Sequence, residues 1–200
     1  TICVVPIMGV TWTGLNDDVK ALNDALEEYN QKTGYDIPIH VDAASGGFIM
    51  PFLYPDVEWD FRLKWVLSIS TSGHKYGLVY PGLGWIVWKD KKFLPDSMSF
   101  SVNYLGAEVT QVGLNFSRPA AQILGQYYQF VRLGFEGYKA IQHNCMEMAK
   151  YLHSEIGKMK PFQNYSTEVC NPLFIWEMKK EHAKQAKWTL YDLQDKLRQN

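Results

Sequence analysis

The feature that most constrains the fold is a pair of short strand-like runs, each emptying into a loop of small and reactive residues. Ile37 to Ala43, opened by Pro38, passes into Ala44-Ser45-Gly46-Gly47. Val66 to Ser70 passes into Thr71-Ser72-Gly73-His74-Lys75. Both runs are rich in β-branched residues and have strand length. The 32 residues between Asp42 and Lys75 leave room for a crossover, so the two strand ends can lie side by side. Sheets built from such crossovers bind ligands beyond the carboxyl ends of their strands.

The flanking sequence extends that pattern. Ile2 to Val10 reads as a buried strand closed by Gly14. Asn16 or Asp17 is expected to cap a helix with the apolar stripe Val19, Leu22, Ala25, Leu26 and Tyr29, ended by Gly34. Gly84 to Lys89 gives a fourth strand and Asp90-Lys91 a turn. Ser117 then caps a helix with Pro119 in its first turn. That helix runs to about Leu133, breaks at Gly134 and resumes from Glu136 to about Lys158. Leu173 to Met178 reads as a short strand and Leu190 to Arg198 as a final helix. The order predicts an α/β fold, a mostly parallel sheet flanked by helices.

Composition narrows the function. With 46% apolar and 20% charged residues the 200-residue chain is neither a disordered tail nor a fibrous repeat. Twenty basic and 21 acidic residues give a net charge of −1, which argues against nucleic acid or an anionic membrane held by bulk charge. No apolar run approaches the length of a membrane span. Cys3, Cys145 and Cys170 form no CxxC pair and are expected as free thiols in a reducing, cytoplasmic setting. The chain starts without a Met and stops inside a helical pattern, so it is expected to be a piece of a longer protein.

The chemistry sits in the two loops. Asp42 is an acid at a strand end, followed by residues small enough for a flat group to approach the backbone. Ser72 and its neighbours offer hydroxyls and amides suited to a phosphate. Lys75 can form a Schiff base with a carbonyl. A lysine, an acid for a ring nitrogen and a phosphate cradle are together what pyridoxal phosphate requires. Each also has a plainer reading, Asp42 as a helix cap and Lys75 as a solvated loop lysine. His40, Asp42 and His74 lack any further ligand pattern, so no metal site is expected. Gly82-Leu83-Gly84 lacks the third glycine of a dinucleotide loop.

The segments HVDAASGGF and SISTSGHKYG resemble the pyridoxal-phosphate-dependent glutamate decarboxylases, group II amino-acid decarboxylases of the aspartate-aminotransferase fold (fold type I). Trp59-Asp60-Phe61-Arg62, Gly82-Leu83-Gly84-Trp85, Tyr104-Leu105-Gly106, Asn115-Phe116-Ser117-Arg118-Pro119-Ala120 and Gly134-Phe135-Glu136-Gly137-Tyr138 resemble that family in order and spacing. The similarity thins after about Lys158.

The resemblance implies roles residue by residue. Lys75 matches the lysine that carries the cofactor as a Schiff base, and His74 the histidine beside it. Asp42 matches the acid on the pyridinium nitrogen, Ala44 the small residue on the ring face, Thr11 a cofactor-contacting threonine and Ser72 a phosphate hydroxyl. Phe116 and Ser117 match a pair that reaches the neighbouring subunit's site, which implies a homodimer or higher homo-oligomer. The implied reaction is decarboxylation of L-glutamate to 4-aminobutanoate and CO2, a carboxy-lyase activity. Residues 1–158 would be the core of the large cofactor-binding domain and 159–200 the truncated start of a small domain. The arginine expected on the substrate carboxylate lies outside the chain, so the piece alone is expected to be inactive. Two alternatives stay open: a related decarboxylase acting on aspartate or an aromatic amino acid, or a non-catalytic assembly fragment.

Overall fold

The computed structural model describes residues 2–104, 107–112 and 119–199. Helix α1 spans Val19–Thr33. Its cap is Asp18, not the expected Asn16 or Asp17: the Asp18 carboxylate accepts from the Ala21 amide at 2.9 Å. Asp17 is committed elsewhere, its carboxylate accepting from the Ile7 amide at 2.8 Å. Gly34 ends the helix with φ 73°, a conformation that glycine adopts without a Cβ penalty.

Strand β1 spans Ile39–Asp42, β2 Val66–Ser72 and β3 Gly84–Trp88. They form one sheet in the order β1-β2-β3, with β1 and β2 parallel and β3 antiparallel at the edge. The expected strand at the N-terminus runs parallel beside β1 through bridges at Val4–Ile39 and Ile7–Asp42. Pro6 within it has no N–H to donate, and the ladder stays broken into single bridges. One side of this sheet packs on α1. Met8, Val19, Ile39, Val41, Trp59, Leu63, Val66 and Ile69 make the core, with Leu22 and Leu26 against it. The helix buries two asparagines beside that stripe. Asn23 accepts from the Trp65 amide at 3.0 Å, and Asn30 exchanges two bonds with the Ile37 backbone at 3.1 Å each.

After β1 a 3₁₀ turn at Gly46–Phe48 leads into the short helix α2, Met50–Leu53. Strands β4, Ser99–Tyr104, and β5, Ala107–Val112, pair antiparallel, which the sequence pattern did not announce. The long helix α3 spans Ala121–Lys158 and is interrupted at Gly134 (φ 59°, ψ −165°), as its sequence predicts. Its N-cap position is Ala120, with no side-chain cap. The expected cap, Ser117, lies outside the described residues, as does Phe116. β6, Phe162–Asn164, pairs antiparallel with β7, Trp176–Met178, and the chain continues into α4, Lys180–Ala183, and α5, Leu190–Gln199. β7 is shorter than the run from Leu173 because the Leu173 backbone is turned onto Gly14 instead.

Candidate active site

The sheet brings the two loops together at one end. Asp42 lies opposite Ser70 in the parallel register. Past the strand ends the backbones stay joined, Ala43 N–H to Ser70 at 2.9 Å and Ser72 N–H to Ala44 at 3.2 Å. The half-buried Asp42 carboxylate accepts from the Ala44 amide at 3.0 Å, which fixes the turn. On the same strand face, His40 places Nδ1 2.8 Å from Ser68 Oγ and Nε2 3.2 Å from Ser70 Oγ. Burial holds the His40 pKa below its ordinary value, with the Asp42 charge pulling less strongly the other way.

Lys75 is exposed, and its Nζ donates to Ser45 Oγ at 3.3 Å, linking the loop after β2 to the loop after β1. The backbone just beyond Lys75 is gripped by α3. Gln142 donates to the Tyr76 carbonyl at 2.8 Å, Gln126 to that of Gly77 at 2.7 Å and Gln129 to that of Leu78 at 3.3 Å. The Tyr138 hydroxyl also donates to Gly77, at 2.9 Å. Gln126, Gln142 and Tyr138 are buried, and burial raises the Tyr138 pKa. A Cβ on Gly73 would stand 2.7 Å from Gln126 Oε1, so a side chain there would push against that glutamine. Leu78 is held in the left-handed region at φ 65°, a conformation costly for a non-glycine residue.

Facing Lys75 is a second loop, from Gly9 to Asn16. Gly9 has φ 86°, and a Cβ there would come within 2.8 Å of the Ser45 Cβ. Between the loops lies a cavity of about 330 Å³ whose walls include Thr11, Ser45, Lys75, Tyr76 and Asn171. That is within the range of small-ligand sites.

Of the residues expected at the site, Lys75 and Thr11 share this cavity. Asp42, Ala44 and Ser72 lie at the same sheet end through backbone bonds but do not line it, and neither does the exposed His74. Ser45, Tyr76 and Asn171 line it without having been singled out. Ser45 stood inside the quoted motif. Tyr76 directly follows the lysine, whereas Asn171 carries no signal in the sequence.

Residues 1–179 match the pyridoxal-dependent decarboxylase conserved domain. The chain belongs to that family. It is 53% identical over 197 residues to glutamate decarboxylase of Lactococcus lactis subsp. cremoris, covering 98% of this chain and 42% of that protein. It is 54% identical over 198 residues to glutamate decarboxylase 5 of Arabidopsis thaliana, covering 99% and 39%. The solved glutamate decarboxylase of Lactobacillus brevis superposes with a TM-score of 0.89 at 46% identity, covering 96% and 43%. The expected fold class stands: an α/β unit of the pyridoxal-dependent decarboxylases, spanning about two fifths of the length of these relatives.

Proposed function

We propose that the chain is the cofactor-holding part of a pyridoxal-phosphate-dependent carboxy-lyase that converts L-glutamate to 4-aminobutanoate and CO2. The observation that carries this is the Lys75 amine beside Thr11 and Ser45 in a cavity of about 330 Å³ at the carboxyl ends of two parallel strands. The likeness to named glutamate decarboxylases, at 46% to 54% identity, supports glutamate over other amino acids.

The residues lining the cavity fit a small aldehyde-bearing group, offering it an amine and hydroxyls. Gly9 leaves the cavity open where any side chain would close it against Ser45. Pyridoxal phosphate, when bound, supplies an electron sink that lets a carboxylate leave an amino acid as CO2. Lys75 offers the amine for its aldehyde, and the Ser45 hydroxyl, an acceptor at 3.3 Å, orients that amine. Thr11 offers a hydroxyl from the opposite wall. Asp42 would stabilise a protonated ring nitrogen, Ala44 would pack on the ring face, Ser72 would hold phosphate and His74 would position substrate or deliver a proton. Phe116 and Ser117 would serve the neighbouring subunit's site.

A homo-oligomer accords with the first half of α3, where Ile123, Leu124, Tyr127 and Val131 are all more than half exposed. A cytoplasmic setting accords with Cys3, Cys145 and Cys170 all being free. Among the described residues no helix is long and apolar enough to cross a membrane. Residues 159–200 are assigned to the start of a second, small domain, and 1–158 to the large one.

The test is borohydride trapping of pyridoxal phosphate on the complete protein, followed by peptide mapping. A phosphopyridoxyl group confined to Lys75 is expected, and Lys75→Ala should show no measurable release of 4-aminobutanoate from glutamate. Steady turnover by Lys75→Ala would refute the role of this lysine.

A further inference from the structure

The segment that follows α3 returns across the mouth of the cavity and touches both walls. On one side the Tyr76 hydroxyl donates to the Pro172 carbonyl at 3.3 Å. On the other the Ser166 hydroxyl donates to the Thr13 carbonyl at 3.2 Å. At its centre is Asn171, 2% exposed. Its Nδ2 donates to the Gly14 carbonyl at 2.7 Å and to Asn16 Oδ1 at 2.8 Å. A backbone carbonyl only accepts, so the nitrogen must face Gly14 and the oxygen is turned toward Gly9. That oxygen has no hydrogen-bond partner among the described residues and would stand 3.5 Å from a Cβ on Gly9. The approach is close along the whole crossing: a Cβ on Gly14, itself at φ 71°, would stand 2.7 Å from the Leu173 carbonyl.

We propose that Asn171 is a positioning residue that clamps the Gly9–Asn16 loop and so holds Thr11 over Lys75. It touches neither Thr11 nor Lys75 and acts through the loop it grips. Both its N–H bonds go to that loop, which fixes orientation as well as distance. The inference rests on reading this cavity as the cofactor site, but its primary readout does not. Within the loop, the Val10 amide donates to Leu15, and the Thr13 and Gly14 amides to Val10. Their exchange with solvent therefore reports whether the loop stays closed.

The experiment compares the complete protein, free of cofactor, with three variants. Asn171→Leu keeps the size and removes the donor. Asn16→Leu removes one acceptor. Asn16→Asp keeps an oxygen for Asn171. Asn171→Leu should speed exchange at Val10, Thr13 and Gly14 by about tenfold or more, with the β1 and β2 amides unchanged. Asn16→Leu should do so less, and Asn16→Asp should behave as wild type. At limiting pyridoxal phosphate, borohydride-trapped Lys75 should fall in the same order. Unchanged loop exchange in Asn171→Leu overturns the clamp. So does equal acceleration in β1 and β2, or an Asn16→Asp as fast as Asn171→Leu. Should Asn171→Leu not fold, the two Asn16 variants decide by the same amides. Absence of any Lys75 adduct in the wild type overturns the cofactor reading instead, and the exchange rates still decide the clamp.

Discussion

The two walls of the cavity are secured by opposite means. Behind Lys75, three consecutive carbonyls, those of Tyr76, Gly77 and Leu78, each accept from a glutamine on α3. That wall is tied side chain to backbone along a helix, and within it Leu78 is left-handed. Opposite, the Gly9–Asn16 loop closes mainly on its own backbone, takes bonds from Asn171 and Ser166 of the crossing segment, and reaches Met50 Sδ through Asn16 Nδ2 at 3.5 Å. The lysine wall is thus tied mainly to α3, with single bonds to Ser45 and Pro172. The threonine wall takes its side-chain bonds from the chain beyond α3, at Ser166 and Asn171. One side presents the amine from a loop bonded to a helix, and the other presents the hydroxyl from a loop bonded to the crossing segment.

The largest effect that separates them should come from Gln126→Leu. The glutamine donates to the Gly77 carbonyl and to the Tyr138 hydroxyl at 2.7 and 2.9 Å, and both bonds are lost. Buried bonds of this kind are worth about 1–3 kcal/mol when one partner is removed. The change also removes Gln126 Oε1, a buried acceptor without a partner among the described residues, which offsets part of the cost. A lower thermal midpoint and weaker cofactor retention are expected, with exchange in the Gly9–Asn16 loop unaltered. Equal disturbance of both loops would show that the walls are one unit.

A smaller effect is expected from Tyr76→Phe, which breaks the direct bond from the lysine wall to the crossing segment. At 3.3 Å to Pro172, that bond is worth about 0.5–1 kcal/mol. Loop exchange on the threonine side should rise less than in Asn171→Leu. A larger rise would move the main fastening of that wall from Asn171 to Tyr76.

Periodicity made the scaffold legible. Apolar runs of strand length gave β1, β2 and β3, and Gly134 gave the break in α3. Lys75 was marked by its chemistry at a strand end as well as by motif resemblance, Thr11 by resemblance alone, and geometry unites them. Asp42 and Ser72 were marked by chemistry and by resemblance, Ala44 and His74 by resemblance, and their side chains do not line the cavity. What could not be read is what fastens the site. Gln126 and Gln142 look like surface residues in any helical pattern, yet both are wholly buried against a loop. Asn171 meets Gly14 across 157 positions of sequence, and nothing local marks an asparagine whose partner is a distant carbonyl. Even the cap of α1 fell on Asp18 because Asp17 was drawn to Ile7 by a tertiary bond.

The smallest effect concerns β1, which lies between the N-terminal segment and β2. His40 lies on β1 between Ser68 and Ser70, and burial keeps its pKa under the ordinary 6.5. The unfolded chain therefore takes up the proton first as pH falls. His40's contribution to stability is complete above about pH 6.5 and is lost as pH drops through the lower folded value. His40→Asn should flatten the fall in urea midpoint between about pH 7.5 and 5.5, leaving the midpoint at the upper end little changed. An identical slope in the variant would mean other groups set the acid limb. Since β1 pairs with β2 and bridges the segment that leads to Gly9, acid should quicken amide exchange in the two walls together in the wild type. Acid-induced opening of the threonine wall alone would instead assign the sensitivity to the crossing segment.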